Sequence, residues 1–324
     1  MTADDTNDFA YEPASEHTSA AARKHYWAVA IGLQSIDGLE VSPYLKQLSK
    51  DYENGFYDLA QTGDFIRAYH GIAANVGNSG TSIVGSGKSS ELIRSAAAAE
   101  TADAHAETRE ADLVSQRIAE LLAGAPFVLS PQIISQIHQW LFRDLDPSIY
   151  HPGEFKCERM IKQEDILNGD SVLYADPLAY ESSLKMAFDA ERARVYGLEL
   201  KGEDLKSFCH TIAFIWQVHP FSEGNTRTVA VFSELYLNHL GFTVGNDPFE
   251  HNARYYRDAL VRAMYRNAAA RILPDSTFLI RFYDNVVNDA GYTLDREDLI
   301  CAELFDHPEL LRNVSPDEAL RVGL

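Results

Sequence analysis

The chain has 324 residues, 46% of them hydrophobic, the apolar content of an ordinary globular protein, and this excludes wholesale disorder. Its 28 Lys and Arg against 48 Asp and Glu leave a net charge of −20, which argues against a surface that tracks a nucleic-acid backbone. The widely spaced Cys157, Cys209 and Cys301 include no Cys-x-x-Cys pair, no apolar run reaches the roughly 18 residues of a membrane span, and the acidic N-terminus lacks the apolar core of a secretory signal; a cytoplasmic protein with reduced thiols is expected, with no membrane or direct nucleic-acid partner.

In chain order, residues 1–24 are polar and acidic and read as a disordered lead-in. Residues 25–70 carry Trp27, Ala30, Ile31, Leu33 and Ile36 at helical spacing, a break at Asp37-Gly38, and a fresh helix start at Ser42-Pro43. Three short helices are expected there. About 45 residues are too few for a self-sufficient core, so this segment should dock on the rest of the chain or on a partner. Residues 71–108 have the Gly/Ser and Ala/acid composition of a linker. The run Val84-Gly85-Ser86-Gly87-Lys88-Ser89 imitates a phosphate-binding loop but has no strand before it and is taken as linker.

From residue 109 to 295 the texture is globular and helical. Helices are expected around 113–122 and 133–141, then at 177–196, 202–218, 225–240, 252–267 and 277–288; residues 296–324 form a C-terminal extension. Between them, apolar stretches flanking Asn168-Gly169-Asp170 predict a β-hairpin over about 162–175.

The chemistry concentrates in His219-Pro220-Phe221-Ser222-Glu223-Gly224-Asn225-Thr226-Arg227. Proline disfavours helix at the residue before it, so one helix should stop at His219. Gly224 permits a tight bend and Asn225 opens the next helix. A loop feeding a helix N-terminus presents free N–H groups and the positive end of the dipole, which binds phosphate. Arg227 in the first turn is unfavourable there unless an anion is present, and adds a guanidinium for it. Glu223 beside such a pocket suits Mg²⁺ held mostly by water and phosphates. His219 is a candidate general base. Singly, each residue is more often a cap or a surface charge; together they specify a site.

His-x-Phe-x-[Asp/Glu]-Gly-Asn-x-Arg is the signature of the Fic family, and every fixed position is present, a coincidence on the order of 1 in 10⁵ at average residue usage. The resemblance covers about residues 110–290, with Tyr150-His151-Pro152-Gly153-Glu154-Phe155, Asn246-Asp247-Pro248-Phe249 and Tyr255-Tyr256 as further points of likeness. It implies a mainly α, Fic-type helical bundle with a β-hairpin flap, and transfer of AMP from ATP to a Ser, Thr or Tyr hydroxyl of a target protein. By the same resemblance His219 is the base, Phe221 anchors the loop and Glu223 holds Mg²⁺. Gly224, Asn225, Thr226 and Arg227 hold phosphates, Tyr255 and Tyr256 lie beside the adenine, and the flap residues Gly169, Asp170, Ser171, Val172 and Leu173 pair with the target's backbone. Some members modify type II topoisomerases, a lead to the target class only. Many members carry a second Arg three residues after the first, which holds the γ-phosphate; here Ala230 stands there. Two alternatives stand beside adenylylation: a catalytically weak Fic scaffold that binds partners, and transfer of another phosphate-containing group.

Residues 27–70 resemble the small three-helix antitoxin that inhibits some members through a Glu directed at that second Arg. Aligned on Gly32–Pro43, Asp37 takes the inhibitory position. The expectation is an antitoxin–toxin fusion in which the ion pair was lost at both ends, at Asp37 and at Ala230.

Overall fold

The computed structural model describes residues 19–72, 102–245 and 247–312. Most of the expected lead-in, most of the linker with its 84–89 run, and the extension from residue 313 lie outside the described residues.

Helix α1 (Ala20–Gly32) starts inside the expected lead-in because Ser19 caps it, accepting the Ala22 N–H. It tightens into a 3₁₀ turn, Leu33–Asp37, that ends at Gly38 with φ 74°. Helix α2 (Pro43–Glu53) has Ser42 as cap and Pro at its first position; α3 (Leu59–Tyr69) opens with a capping box made by Asp58 and Gln61. The apolar faces of the three helices do not form a core of their own. Trp27, Val29, Leu33 and Leu45, all wholly buried, join the one core that also holds Phe208, Phe232 and Leu260.

Helix α1 packs on α4 (Ala102–Gly124) and on α10 (Asp247–Met264). At Gly32 the α1 and α10 backbones touch: a Cβ there would lie 2.4 Å from the Phe249 carbonyl oxygen. Buried polar ties reinforce the packing. Asp112 of α4, fully buried, accepts the Ser42 N–H (2.8 Å) and hydroxyl (2.6 Å) and lies 2.8 Å from His70 Nε2. His25 Nε2 lies 2.5 Å from the buried Glu234.

The rest of the chain is a helical bundle: α5 (Gln132–Phe142), α6 (Pro147–Tyr150), α7 (Tyr180–Arg192), α8 (Gly202–Val218), α9 (Asn225–His239), α10, α11 (Thr277–Asn288) and the short α12 (Ala302–Asp306). Helix α9 is buried on every side from Asn225 to Leu237, the mark of a central helix, and α4, α5 and α8 pack around it. Helix α10 begins five residues before the expected start at 252; Asn252 itself (φ −127°, ψ 27°) is the kink inside it. Helix α4 likewise begins within the expected linker.

The hairpin is small. Strands β1 (Ile161–Gln163) and β2 (Ser171–Leu173) pair antiparallel, Ile161 opposite Leu173 and Gln163 opposite Ser171. Among the described residues no helix is long and apolar enough to cross a membrane.

Candidate active site

Helix α8 ends at Val218; Pro220 disfavours right-handed helix at His219, which leaves instead in the left-handed region (φ 50°, ψ 54°), a costly conformation for a residue with a side chain. The loop returns to α9 at Gly224 (φ 71°). Only glycine fits there, because a Cβ would stand 2.1 Å from Phe142 Cζ.

The loop is held by its carbonyls. Lys156 donates its backbone N–H to the Pro220 carbonyl (2.8 Å) and its ammonium to the carbonyls of His219 and Phe221. His138 Nδ1 accepts the Gly153 N–H (2.9 Å), so its proton is on Nε2, which donates to the Glu223 carbonyl (3.1 Å). Burial pushes His138 down to about 3, so it stays neutral. Asn225 bridges the turn, its Oδ1 accepting the Phe221 N–H (2.9 Å) and its Nδ2 donating to the Phe221 carbonyl (2.7 Å). Phe221, wholly buried, stacks on His138 with ring centroids 3.8 Å apart. With the carbonyls turned inward, the N–H groups of Gly224, Asn225 and Thr226 find no carbonyl of the chain and face a cleft. The Thr226 side chain is turned away from it, accepting the Trp216 indole N–H at 2.9 Å.

His219 sits in that cleft, only 3% exposed, its ring stacked on Tyr174 at 3.8 Å. Neither ring nitrogen makes a well-aligned hydrogen bond, although the Trp216 backbone is near enough to act on the ring. Burial, and then the charges of Lys156 and Lys162, hold it well below the usual imidazole range, so it is a neutral base at physiological pH. A buried polar group without a well-aligned hydrogen bond is costly, and at a cleft it marks a place for a substrate proton.

Arg227 is the reverse case. Its side chain is 2% exposed and held on three sides: one terminal nitrogen lies 2.6 Å from Glu110, the other donates to Gln34 Oε1 (3.1 Å), Nε is 2.8 Å from Asp37 as an ion pair without an aligned hydrogen bond, and the guanidinium lies over the Phe142 ring. Two of these partners come from the 3₁₀ turn after α1. Glu223 is half exposed beside Gly224, outside the lining of the cleft, with the cleft-lining Lys162 Nζ 3.6 Å away. A single carboxylate beside phosphate-binding amides fits a Mg²⁺ otherwise held by phosphates and water. Asp247, Glu250 and His251 also bring ligand atoms within 4.8 Å of one another, but none of them lines the cleft.

Residues 128–237 match the model of the Fic/DOC family. Those residues form a Fic/DOC-family domain. No curated protein matches the chain. The family match spans α5 to α9 and so contains the whole loop and the hairpin; from outside it Asp37 of the 3₁₀ turn, Glu110 of α4 and Arg257 of α10 reach the site.

Three expectations about the Fic-domain site need correction. Asp37 has not lost its ion pair: with Ala230 buried and apolar, it reaches Arg227 instead. Tyr255 and Tyr256 are 1% and 0% exposed and pack on Phe282 of α11, so neither faces the cleft; it is the next residue, Arg257, that does. In the flap, Gly169 is exposed and Leu173 half-buried, but Asp170, Ser171 and Val172 are buried. Asp170 accepts the Tyr265 hydroxyl (2.7 Å), the Ser171 carbonyl accepts from Arg312 (2.7 Å), and the Leu173 carbonyl from Gln217 (3.2 Å). Of the chain's C-terminal extension, Arg312 reaches β2 at Ser171. Among the described residues the sheet has two strands, and the outer edge of β1 has no strand partner.

His138, Lys156, Gln34, Glu110 and Arg257 were not singled out from sequence. Only a principle flags them: a buried arginine and a buried run of carbonyls must each find partners.

Proposed function

We propose that the chain is a protein adenylyltransferase that moves AMP from ATP to a Ser, Thr or Tyr hydroxyl of a target protein. The observation that carries this reading is one cleft holding both the free N-terminal amides of α9 and a buried imidazole with no well-aligned hydrogen bond on either nitrogen. The amides of Gly224, Asn225 and Thr226 receive phosphate oxygens and stabilise charge that builds on them. The target hydroxyl oxygen attacks the α-phosphorus, the bond from that phosphorus to the bridging oxygen of the β-phosphate breaks, pyrophosphate departs, and the hydroxyl proton passes to His219. Glu223 would hold Mg²⁺, which supplies charge neutralisation on the phosphates. The protein's own contribution is position and charge, as in other phosphoryl-type transfers.

A second element belongs to the same reading: the N-terminal helices inhibit. Asp37, Gln34 and Glu110 place oxygen atoms on the Arg227 guanidinium where phosphate oxygens would sit. Here the inhibitory carboxylate works on the motif arginine itself.

The test is transfer of label from α-³²P-ATP with Mg²⁺ to proteins of a cell lysate, using the full chain, Asp37→Ala and His219→Ala. Label on protein that rises with Asp37→Ala and vanishes with His219→Ala is the expected result. No label with either the full chain or Asp37→Ala would instead favour a binding scaffold, and label from another nucleotide alone would favour transfer of a different group.

A further inference from the structure

The nucleotide reading leaves the phosphate site one cation short. Arg227 is engaged by Asp37, Glu110 and Gln34 and does not line the cleft in this state, and the turn after it offers Ala230, 1% exposed. A triphosphate carries more charge than three amides can balance, in a protein of net charge −20.

Two cations from outside the motif do face the cleft, Lys162 of β1 and Arg257 of α10, which line it together with His219 and the Gly224–Thr226 turn. Lys162 is engaged with Glu223. Arg257, 27% exposed, pairs through one terminal nitrogen with Glu164 Oε2 at 2.7 Å, and its other terminal nitrogen is 3.8 Å from Asp258. Glu164 is a poor permanent partner. It is 1% exposed, its second oxygen has no hydrogen bond, and it lines the same cleft. Its burial, resisted by Arg257, pushes it up to about 7. A phosphate offers the guanidinium fork two or three oxygens where Glu164 offers one. Asp37 also lines the cleft and is close enough for its charge to act on Arg257.

We propose that Arg257 is the second phosphate-binding guanidinium of this cleft, reaching in from α10 to take the terminal phosphate of a nucleoside triphosphate. The inference rests on the reading of the cleft as a nucleotide site. It assigns to Asp37 a second effect, since the same carboxylate faces both guanidinium groups, and it places triphosphate recognition outside the segment that carries the motif.

The experiment is equilibrium binding of ATP and AMP with Mg²⁺ to the full chain and to Arg257→Ala, Arg257→Lys and Glu164→Gln, each measured with Asp37 present and in an Asp37→Ala background. Arg257→Ala should weaken ATP about tenfold and AMP less than about twofold. Arg257→Lys, which keeps charge and stem but loses the fork, should fall between, and it decides the matter if the alanine variant does not fold. Glu164→Gln should bind ATP as tightly as the parent or more tightly. Equal losses for ATP and AMP, or no loss for either, would overturn the assignment of Arg257 while leaving the nucleotide site standing. Failure of both backgrounds to bind any adenine nucleotide would overturn the nucleotide site itself, and the inference with it.

Discussion

The two ends of the loop between α8 and α9 are both buried, yet they stand in opposite states. His219 makes no well-aligned hydrogen bond through either nitrogen, and Arg227 has Asp37, Glu110, Gln34 and the Phe142 ring. Burial normally forces every polar group to be paired. One end of the loop carries an imidazole with no well-aligned hydrogen bond, while the guanidinium eight residues on is held by the turn after α1 and by Glu110 of α4. The core supplies chemistry, and the appended segment supplies the counter-ion.

That contrast can be attacked at either end. The largest effect is expected at the His219 end: His219→Ala should lower label transfer by about 10²–10⁴, the usual worth of a positioned base, with nucleotide binding little changed. Parallel loss of binding would mean that the imidazole shapes the cleft and does not act on a proton. Next comes the hinge between the ends. Gly224→Ala combines a left-handed φ with a contact to Phe142 far inside van der Waals distance, and should cost about 3 kcal/mol in denaturant melts and abolish ATP binding. An unaltered melt would show that α5 yields easily.

Acid should expose the neutral imidazoles. His138 and His219 are held below their unfolded pKa, so between the two values the unfolded chain binds protons that the folded chain refuses. Their contribution is complete above about 6.5 and is lost as pH falls, by up to about 1.4 kcal/mol per pH unit for each. Melts at pH 7.5 and 5 test this, and a His138→Gln variant should flatten the slope. The smallest effect is at the Arg227 end. Asp37→Ala removes one of three oxygen partners and should raise ATP affinity and transfer about tenfold. Unchanged transfer would mean that Glu110 and Gln34 suffice to hold Arg227, or that the arginine is structural.

Much of this was readable before any coordinates. The loop is local, so Pro220, Gly224 and Asn225 announce their own geometry, and the helices of the bundle follow from apolar spacing. The length of residues 25–70 alone required docking. What stayed hidden is contact between distant elements. His138 supports the loop through a carbonyl more than 80 residues away, and no spacing rule connects the two. Tyr255 and Tyr256 follow from the family resemblance, and the periodicity of α10 points elsewhere. Phe249, Ala253, Tyr256 and Leu260 form one apolar stripe, which puts Tyr256 in the core, while Arg257 lines the cleft.

The crossing at Gly32 has a mechanical consequence. The N-terminal segment rests on the α10 backbone at Phe249 and Glu250, and Arg257 projects from that same helix about two turns further on. The kink at Asn252 falls between the surface that seats the segment and the side chain that faces its Asp37, so the two are joined across a bend. A single methyl group at position 32 would press on the stretch before that bend.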